Sequence, residues 1–172
     1  MYFPLLFQKM FCNFKNNIYF VNFKNMIFYL TIFLGVILDA ISKYFANIYL
    51  QEQINIFSDF LFLKYVENKG IAFSVNIPFL KIVTIILILG IFYYYFKEEK
   101  KKNDKLIDFS FGLILAGAFG NGYERIFNGF VIDFLGVKYF SVFNLADSFI
   151  FVGALIYLLK IFFEKKEKIS AK

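Results

Sequence analysis

Two aspartates, Asp133 and Asp147, lie beside long hydrophobic segments and are the residues best suited to catalysis. Asp133 lies in the apolar run 131–135, and Asp147 follows Asn144 at the start of the last hydrophobic segment. Two carboxylates at one depth in apolar surroundings can share a proton, because charge repulsion and desolvation favour one ionised and one neutral group. Such a pair can activate a water molecule against an amide bond. The alternative interpretation is two unrelated interfacial charges.

Three further polar residues are unusual in a chain this apolar. Asp39 and Lys43 are one helical turn apart near the end of the first hydrophobic segment, so they form either a local ion pair or part of a site. Arg125 is the only arginine, beside 18 lysines. Its planar guanidinium offers a fork of donors that lysine lacks. Arg125 is therefore a candidate for binding a carbonyl or carboxylate.

The residue types that are missing exclude several classes of enzyme. The chain has no histidine, which excludes Ser-His-Asp and Cys-His catalysis and histidine metal ligands. Cys12 is the only cysteine, so neither an internal disulfide nor a cysteine-rich zinc site can form. The net charge of +6 comes from lysine runs that flank apolar segments, which does not indicate a nucleic-acid-binding face. Any catalysis must use carboxylates, hydroxyls, lysines or backbone groups.

The composition requires lipid as the solvent for part of the surface. Of the 172 residues, 60% are hydrophobic, and phenylalanine alone supplies 28. A soluble domain of this size cannot bury so much apolar surface. Four segments are apolar enough to cross a bilayer: 26–46, 78–96, 106–122 and 140–163. The sequence therefore predicts an all-α membrane protein with four transmembrane helices.

The distribution of lysines orients these helices. Five lysines lie in the 97–105 loop, and others precede the first segment or follow the last, whereas each remaining loop carries two cationic residues. Cytoplasmic loops of membrane proteins are enriched in lysine and arginine. We therefore expect both termini in the cytoplasm, and the loops 47–77 and 123–139 outside. This topology places Asp133 and Asp147 near the outer face of the membrane.

The outer loops also have strand character, which predicts a small extracytoplasmic β-element. A turn is expected at Asn68–Gly70, and the stretch 134–143 is rich in strand-forming residues. Short strands are expected around a further set of apolar residues: Ile54, Ile56, Phe60, Phe62 and Tyr65.

We divide the chain into three regions. Residues 1–25 form an N-terminal extension that lysine and asparagine interrupt too often for a membrane span, although it is compatible with an interfacial position. Residues 26–163 form the membrane domain, and residues 164–172 form a basic cytoplasmic tail.

Five sequence blocks resemble, in order, those of lipoprotein signal peptidase, also called signal peptidase II. Asp39–Lys43 matches the family's Asp-x-x-Ser-Lys element, and Asn68–Ser74 resembles Asn-x-Gly-Ala-Ala-Phe-Ser. Ala116–Arg125 resembles a block that contains Gly-Asn-x-x-Asp-Arg, with Glu124 in place of the usual aspartate. The last two blocks match those that hold the family's catalytic aspartates: Gly129–Phe134 and Phe143–Asp147.

The resemblance implies an aspartic endopeptidase of the bacterial inner membrane. Such an enzyme removes the signal peptide from diacylglyceryl-modified prolipoproteins, just before the lipidated cysteine. Asp133 and Asp147 would hold the catalytic water. The resemblance implies no metal, organic cofactor or obligate protein partner, and the expected partners are prolipoproteins and membrane lipid. The candidates for binding substrate or supporting the site are Asn68, Gly70, Asn121, Arg125, Asn144, Asp39 and Lys43.

Two other functions are compatible with the same residues. A small proton-coupled transporter could use the carboxylates as a relay, and would show ion flux without peptide cleavage. A non-catalytic membrane assembly factor would tolerate the loss of either aspartate.

Overall fold

The computed structural model describes residues 26–70 and 79–170. The N-terminal extension, Cys12 and the block Ile71–Ser74 lie outside the described residues. Within the described ranges, four helices are long and apolar enough to cross a membrane, so the predicted architecture is confirmed. These helices are α1 (Met26–Tyr49), α2 (Leu80–Tyr94, which further helical turns extend to Lys102), α3 (Lys105–Phe127) and α4 (Leu145–Ser170).

Local capping explains where α3 begins and ends. The segment predicted for this helix was 106–122, but the helix is longer at both ends. The Asp104 carboxylate accepts hydrogen bonds from the backbone N–H groups of Leu106 and Ile107, at 2.8 and 3.2 Å, and so caps the first turn. At the other end, the Glu124 carbonyl accepts the N–H of Gly129 at 3.0 Å. Gly129 has a φ of +83°, which glycine adopts without strain.

Helix α3 is the centre of the bundle. More than half of its most apolar stretch is buried (56%), against 22% or less for the other three helices. The other helices expose large apolar side chains such as Phe33, Leu89 and Phe151, as lipid-facing surfaces do. Gly117 and Gly120 let neighbouring segments of the protein pack closely against α3. A Cβ at Gly117, for example, would clash with the Ala146 carbonyl.

Two pairs of strands form a four-stranded antiparallel sheet. One pair lies between α1 and α2 in the sequence, and the other lies between α3 and α4. The strands of the sheet are β1 (Ile54–Phe57), β2 (Leu61–Asn68), β3 (Val131–Val137) and β4 (Val142–Phe143), in that spatial order. The predicted β-element is therefore confirmed. Phe60 lies in the β1–β2 turn and not in a strand, and the strand-rich stretch 134–143 contains a turn between β3 and β4. The fourth helix consequently begins at residue 145 and not at 140.

The end of the bundle remote from the sheet has its own polar cluster. Helix α2 continues through a π-helical turn, Tyr95–Glu99, and a short 3-10 turn up to residue 102. The buried Glu99 carboxylate accepts hydrogen bonds from Tyr94, Tyr157 and Lys102, at 3.1, 2.9 and 2.9 Å. These contacts fasten α2 to α4 far from Asp133 and Asp147.

Candidate active site

Asp133 lies within β3, and the structure holds its carboxylate between two asparagines. Asn68, the last residue of β2, donates from Nδ2 to Asp133 Oδ2 at 2.9 Å. Asn144 donates from Nδ2 to Asp133 Oδ1 at 2.7 Å. Antiparallel pairing sets Val66 opposite Asp133, so the register of β2 against β3 brings Asn68 to the carboxylate. Both oxygens of a buried carboxylate thus have a fixed donor.

Asp147 lies in the first turn of α4, where it forms a reciprocal cap with Asn144. The N–H of Asp147 donates to Asn144 Oδ1 at 2.9 Å, and the N–H of Asn144 donates to Asp147 Oδ2 at 3.2 Å. This arrangement is a capping box, which fixes the side chains at both positions. Asn121 of α3 adds a third contact, because its Nδ2 donates to Asp147 Oδ1 at 2.7 Å.

Asn144 joins the two aspartates. It is fully buried, and its side chain contacts Asp133 through Nδ2 while its backbone and Oδ1 contact Asp147. Nδ2 also lies 3.0 Å from Asn121 Oδ1. One asparagine therefore holds both carboxylates in a common frame, and the pair predicted from two separate sequence blocks is brought together.

Burial and charge raise the pKa of Asp133 to about 6. Desolvation by burial is the main cause, and the negative charge of Asp147 adds to it. Hydrogen bonds from Asn68 and Asn144 and the positive charge of Lys43 oppose the rise. Asp133 is therefore partly protonated near neutral pH, which suits a carboxyl group that must both accept and donate a proton.

Replacing Asp147 by asparagine should lower the pKa of Asp133 below about 6, because the substitution removes a neighbouring negative charge that raises it. Carboxyl ¹³C chemical shifts of Asp133, followed against pH in detergent micelles, measure this pKa. The wild-type protein should protonate Asp133 as the pH falls through about 6, and Asp147→Asn should require a lower pH. An unchanged or higher pKa in the variant would show that the two carboxylates do not interact.

Arg125 lies at the last turn of α3 and points to the turn after β2. Its Nη2 donates to the carbonyl of Gly70 at 3.4 Å, and the N–H of Gly70 donates to Asn68 Oδ1 at 2.9 Å. Its Nε is buried and has no hydrogen-bond partner among residues 26–70 and 79–170. Arg125, Gly70 and Asn68 thus form a chain of contacts that leads to Asp133.

Asp39 and Lys43 form the predicted ion pair, at 2.8 Å, and both are almost fully buried, with 2% and 3% of their surface exposed. Lys43 Nζ also contacts Glu124 at 2.8 Å and Asn121 Oδ1 at 2.9 Å. The pair therefore belongs to a network behind the aspartates. Glu124 was not among the site residues predicted from the sequence, and its signal was its place in the block Ala116–Arg125, where it stands for the usual aspartate.

Two apolar grooves reach the polar residues of the site. A groove of about 360 Å³ runs between α2 and α3, and another of about 460 Å³ lies beside the start of α4. The lining of the first includes Leu80, Thr84, Leu87, Ile88, Asn121 and Arg125. The lining of the second is Phe140, Phe143, Asp147, Ser148, Phe151 and Val152. Each groove is apolar along most of its surface and carries polar groups of the site.

Comparison with known proteins identifies structures with the same fold. Two solved structures of bacterial membrane enzymes, obtained by the in meso method at 2.3 and 1.9 Å resolution, share the fold. Their TM-scores are 0.72 and 0.69, with 23% and 24% sequence identity. The first similarity covers 87% of this chain and 93% of that structure, and the second covers 83% and 94%.

Sequence relatives specify the family. The lipoprotein signal peptidase of Caldicellulosiruptor bescii is 38% identical over 140 residues, which cover 79% of this chain and 91% of the relative. That of Caldanaerobacter subterraneus is 39% identical over 125 residues, covering 70% and 86%. The family model for signal peptidase II matches residues 31–163, a range that contains both aspartates. The chain therefore belongs to the signal peptidase II family of lipoprotein-processing proteases.

Proposed function

We propose that this protein is an aspartic endopeptidase that cleaves the signal peptide from diacylglyceryl-modified prolipoproteins just before the lipidated cysteine. The observation that carries the proposal is the pair Asp133 and Asp147, held in one frame by the buried Asn144. Two carboxyl groups are sufficient for the proton transfers of amide hydrolysis, because one can act as the base and the other as the acid.

In the proposed reaction, a water molecule lies between Asp133 and Asp147. One carboxylate removes a proton from the water as its oxygen bonds to the scissile carbonyl carbon, which becomes tetrahedral. The other carboxyl group gives its proton to the leaving nitrogen, and the C–N bond breaks. The first carboxyl group then holds the proton taken from water, and the second is ionised. Protons are shared by the pair, so the roles of base and acid belong to the two residues together.

The surrounding groups suit a peptide with apolar attachments. Asn68, Gly70 and Arg125 offer polar atoms that can hold the substrate backbone next to Asp133. The buried Arg125 Nε supports this role, because a substrate carbonyl would give it a hydrogen-bond acceptor. The two apolar grooves offer separate surfaces to the hydrophobic part of a signal peptide and to two acyl chains, since one is lined by Asp147 and the other by Asn121 and Arg125.

We place the protein in the bacterial inner membrane, with both termini in the cytoplasm and the aspartates at the outer face. A reporter that is active only in the cytoplasm should work when fused at Lys101 or in the C-terminal tail, and should fail near Asn55. A reporter that needs export should give the opposite pattern. This expectation rests on the lysine-rich 97–105 loop. A cytoplasmic result near Asn55 would invert the topology and put the aspartates on the wrong side.

Incubation of the purified protein with a diacylglyceryl-modified prolipoprotein tests the proposal. We expect the shortened lipoprotein to appear with the modified substrate in detergent or lipid. The same precursor without diacylglycerol serves as the matched control, and should be cleaved far more slowly because it lacks the acyl chains that fill an apolar groove. Equal cleavage of both precursors would refute the specificity for lipid-modified cysteine.

A further inference from the structure

Each proposed catalytic aspartate follows a residue whose backbone N–H is bound by a buried carboxylate. The N–H of Ala146, directly before Asp147, donates to Asp39 Oδ1 at 3.0 Å. The N–H of Ile132, directly before Asp133, donates to Glu124 Oε2 at 3.2 Å. Two carboxylates from two different helices thus hold the backbone at equivalent positions on either side of the site.

Lys43 connects these two carboxylates. Its ammonium nitrogen lies 2.8 Å from Asp39 Oδ2 and 2.8 Å from Glu124 Oε2. Its third contact, at 2.9 Å, is Asn121 Oδ1, and Asn121 in turn donates to Asp147. An ammonium group has three donors, so all three are used on groups that lead to the aspartates.

We propose that Asp39, Lys43 and Glu124 form a clamp that sets the separation of Asp133 and Asp147. The proposal rests on the aspartic peptidase function proposed above. The three residues are positioning residues, because the hydrogen bonds that lead from them to the aspartates run through Ala146, Ile132 and Asn121 in the described part of the chain.

Glu124 is well placed to position β3, because its backbone and its side chain both make contacts at the junction of α3 and β3. Its carbonyl closes the end of α3 by accepting the N–H groups of Asn128 and Gly129, at 2.8 and 3.0 Å. Its carboxylate reaches on to Ile132 in the next strand. Glu124 therefore fixes the direction in which β3 leaves α3, and with it the position of Asp133.

The packing of α3 also leaves space for the clamp. A Cβ at Gly120 would clash with the carboxylate of Asp39, so glycine at this position leaves room for the clamp against α3. Asp39, Lys43 and Glu124 are 2%, 3% and 7% exposed. Removing one member of a buried ion group leaves the others without compensation. Variants of Glu124 that keep its hydrogen-bonding capacity therefore separate positioning from folding.

The test compares Glu124→Ala and Glu124→Gln with the matched control Glu99→Ala. Glu99 is also a buried carboxylate paired with a lysine, but it lies at the other end of the bundle. Glu124→Ala should lower kcat by about 10–100-fold, because a small displacement of catalytic groups has effects of this size, with little change in KM. Glu124→Gln retains an acceptor for Ile132 N–H and should recover most of the loss. Glu99→Ala should keep kcat near that of the wild type even where its thermal stability falls.

Amide hydrogen exchange supplies a second readout that needs no substrate. The N–H of Ile132 should exchange faster in Glu124→Ala than in wild type, and should be unaffected by Glu99→Ala. Unchanged exchange at Ile132, or equal loss of kcat in Glu124→Ala and Glu99→Ala, would overturn the clamp. Failure of the wild-type protein to cleave would instead refute the proposed function, and the exchange measurement would still decide whether Glu124 holds β3.

Discussion

Asp133→Asn and Asp147→Asn should each reduce cleavage of a diacylglyceryl-modified prolipoprotein by about 10²–10⁴-fold, the range expected for the loss of a general acid or base. An asparagine amide can neither remove a proton from water nor deliver one to the leaving nitrogen. The shape of the side chain is nearly unchanged, so substrate binding should persist. The measurement is the rate of product formation at saturating substrate, with protein expression matched between variants.

Folding has to be checked for both variants. Each aspartate accepts two hydrogen bonds, and asparagine can replace one of its oxygens only with a donor. A buried donor left without an acceptor destabilises the protein by about 1–3 kcal/mol, so thermal unfolding in detergent should be measured alongside activity. Asp59→Asn, in the exposed β1–β2 turn, is the matched control and should remain fully active. Near-normal turnover in either active-site variant would remove that residue from the mechanism.

Arg125→Lys should fail nearly as badly as Arg125→Ala, with kcat/KM lowered by about 10²-fold, comparable to the loss of one well-placed donor to a reacting group. A lysine ammonium keeps the charge but cannot reproduce a planar fork that reaches the Gly70 carbonyl while offering its other donors to substrate. Cleavage rates of the two variants, measured over a range of substrate concentrations, provide the comparison.

The control for charge alone is Lys81→Ala. Lys81 lies at the same end of the bundle as Arg125, because its ammonium donates to the Ile126 carbonyl at 2.9 Å. Its loss should leave cleavage nearly intact. A fully active Arg125→Lys variant would show that only positive charge matters, as in a contact with lipid headgroups. Equal losses of thermal stability in both Arg125 variants would assign the residue a structural role.

Much of the fold could be predicted from hydropathy and charge. Four apolar segments predicted four helices, because a chain in lipid must satisfy its backbone within each span. The boundaries were less accurate where charged groups lie inside a helix: the predicted third segment ended at residue 122, before Glu124 and Arg125, whereas α3 continues to Phe127 with Glu124 buried. The start of α4 was placed too early, because Phe140 and Phe143 are as apolar in a strand and turn as they would be in a membrane helix.

The site could be predicted only in part, because its residues are brought together over long sequence distances. The sequence blocks singled out Asp133 and Asp147, and the structure brings them to Asn144. The three-way contact of Lys43 was not predictable, since Glu124 and Asn121 are about eighty residues further along the chain. Spacing of i and i+4 identified only the local ion pair with Asp39.

Mass analysis of the cleavage products tests the central claim most directly. The purified protein, incubated with a diacylglyceryl-modified prolipoprotein, should release a product whose first residue is the lipidated cysteine. Wild-type protein should form this product, and Asp133→Asn and Asp147→Asn should not, although both variants remain folded. Absence of the product with folded wild-type protein, or its formation by either asparagine variant at the wild-type rate, would contradict the account.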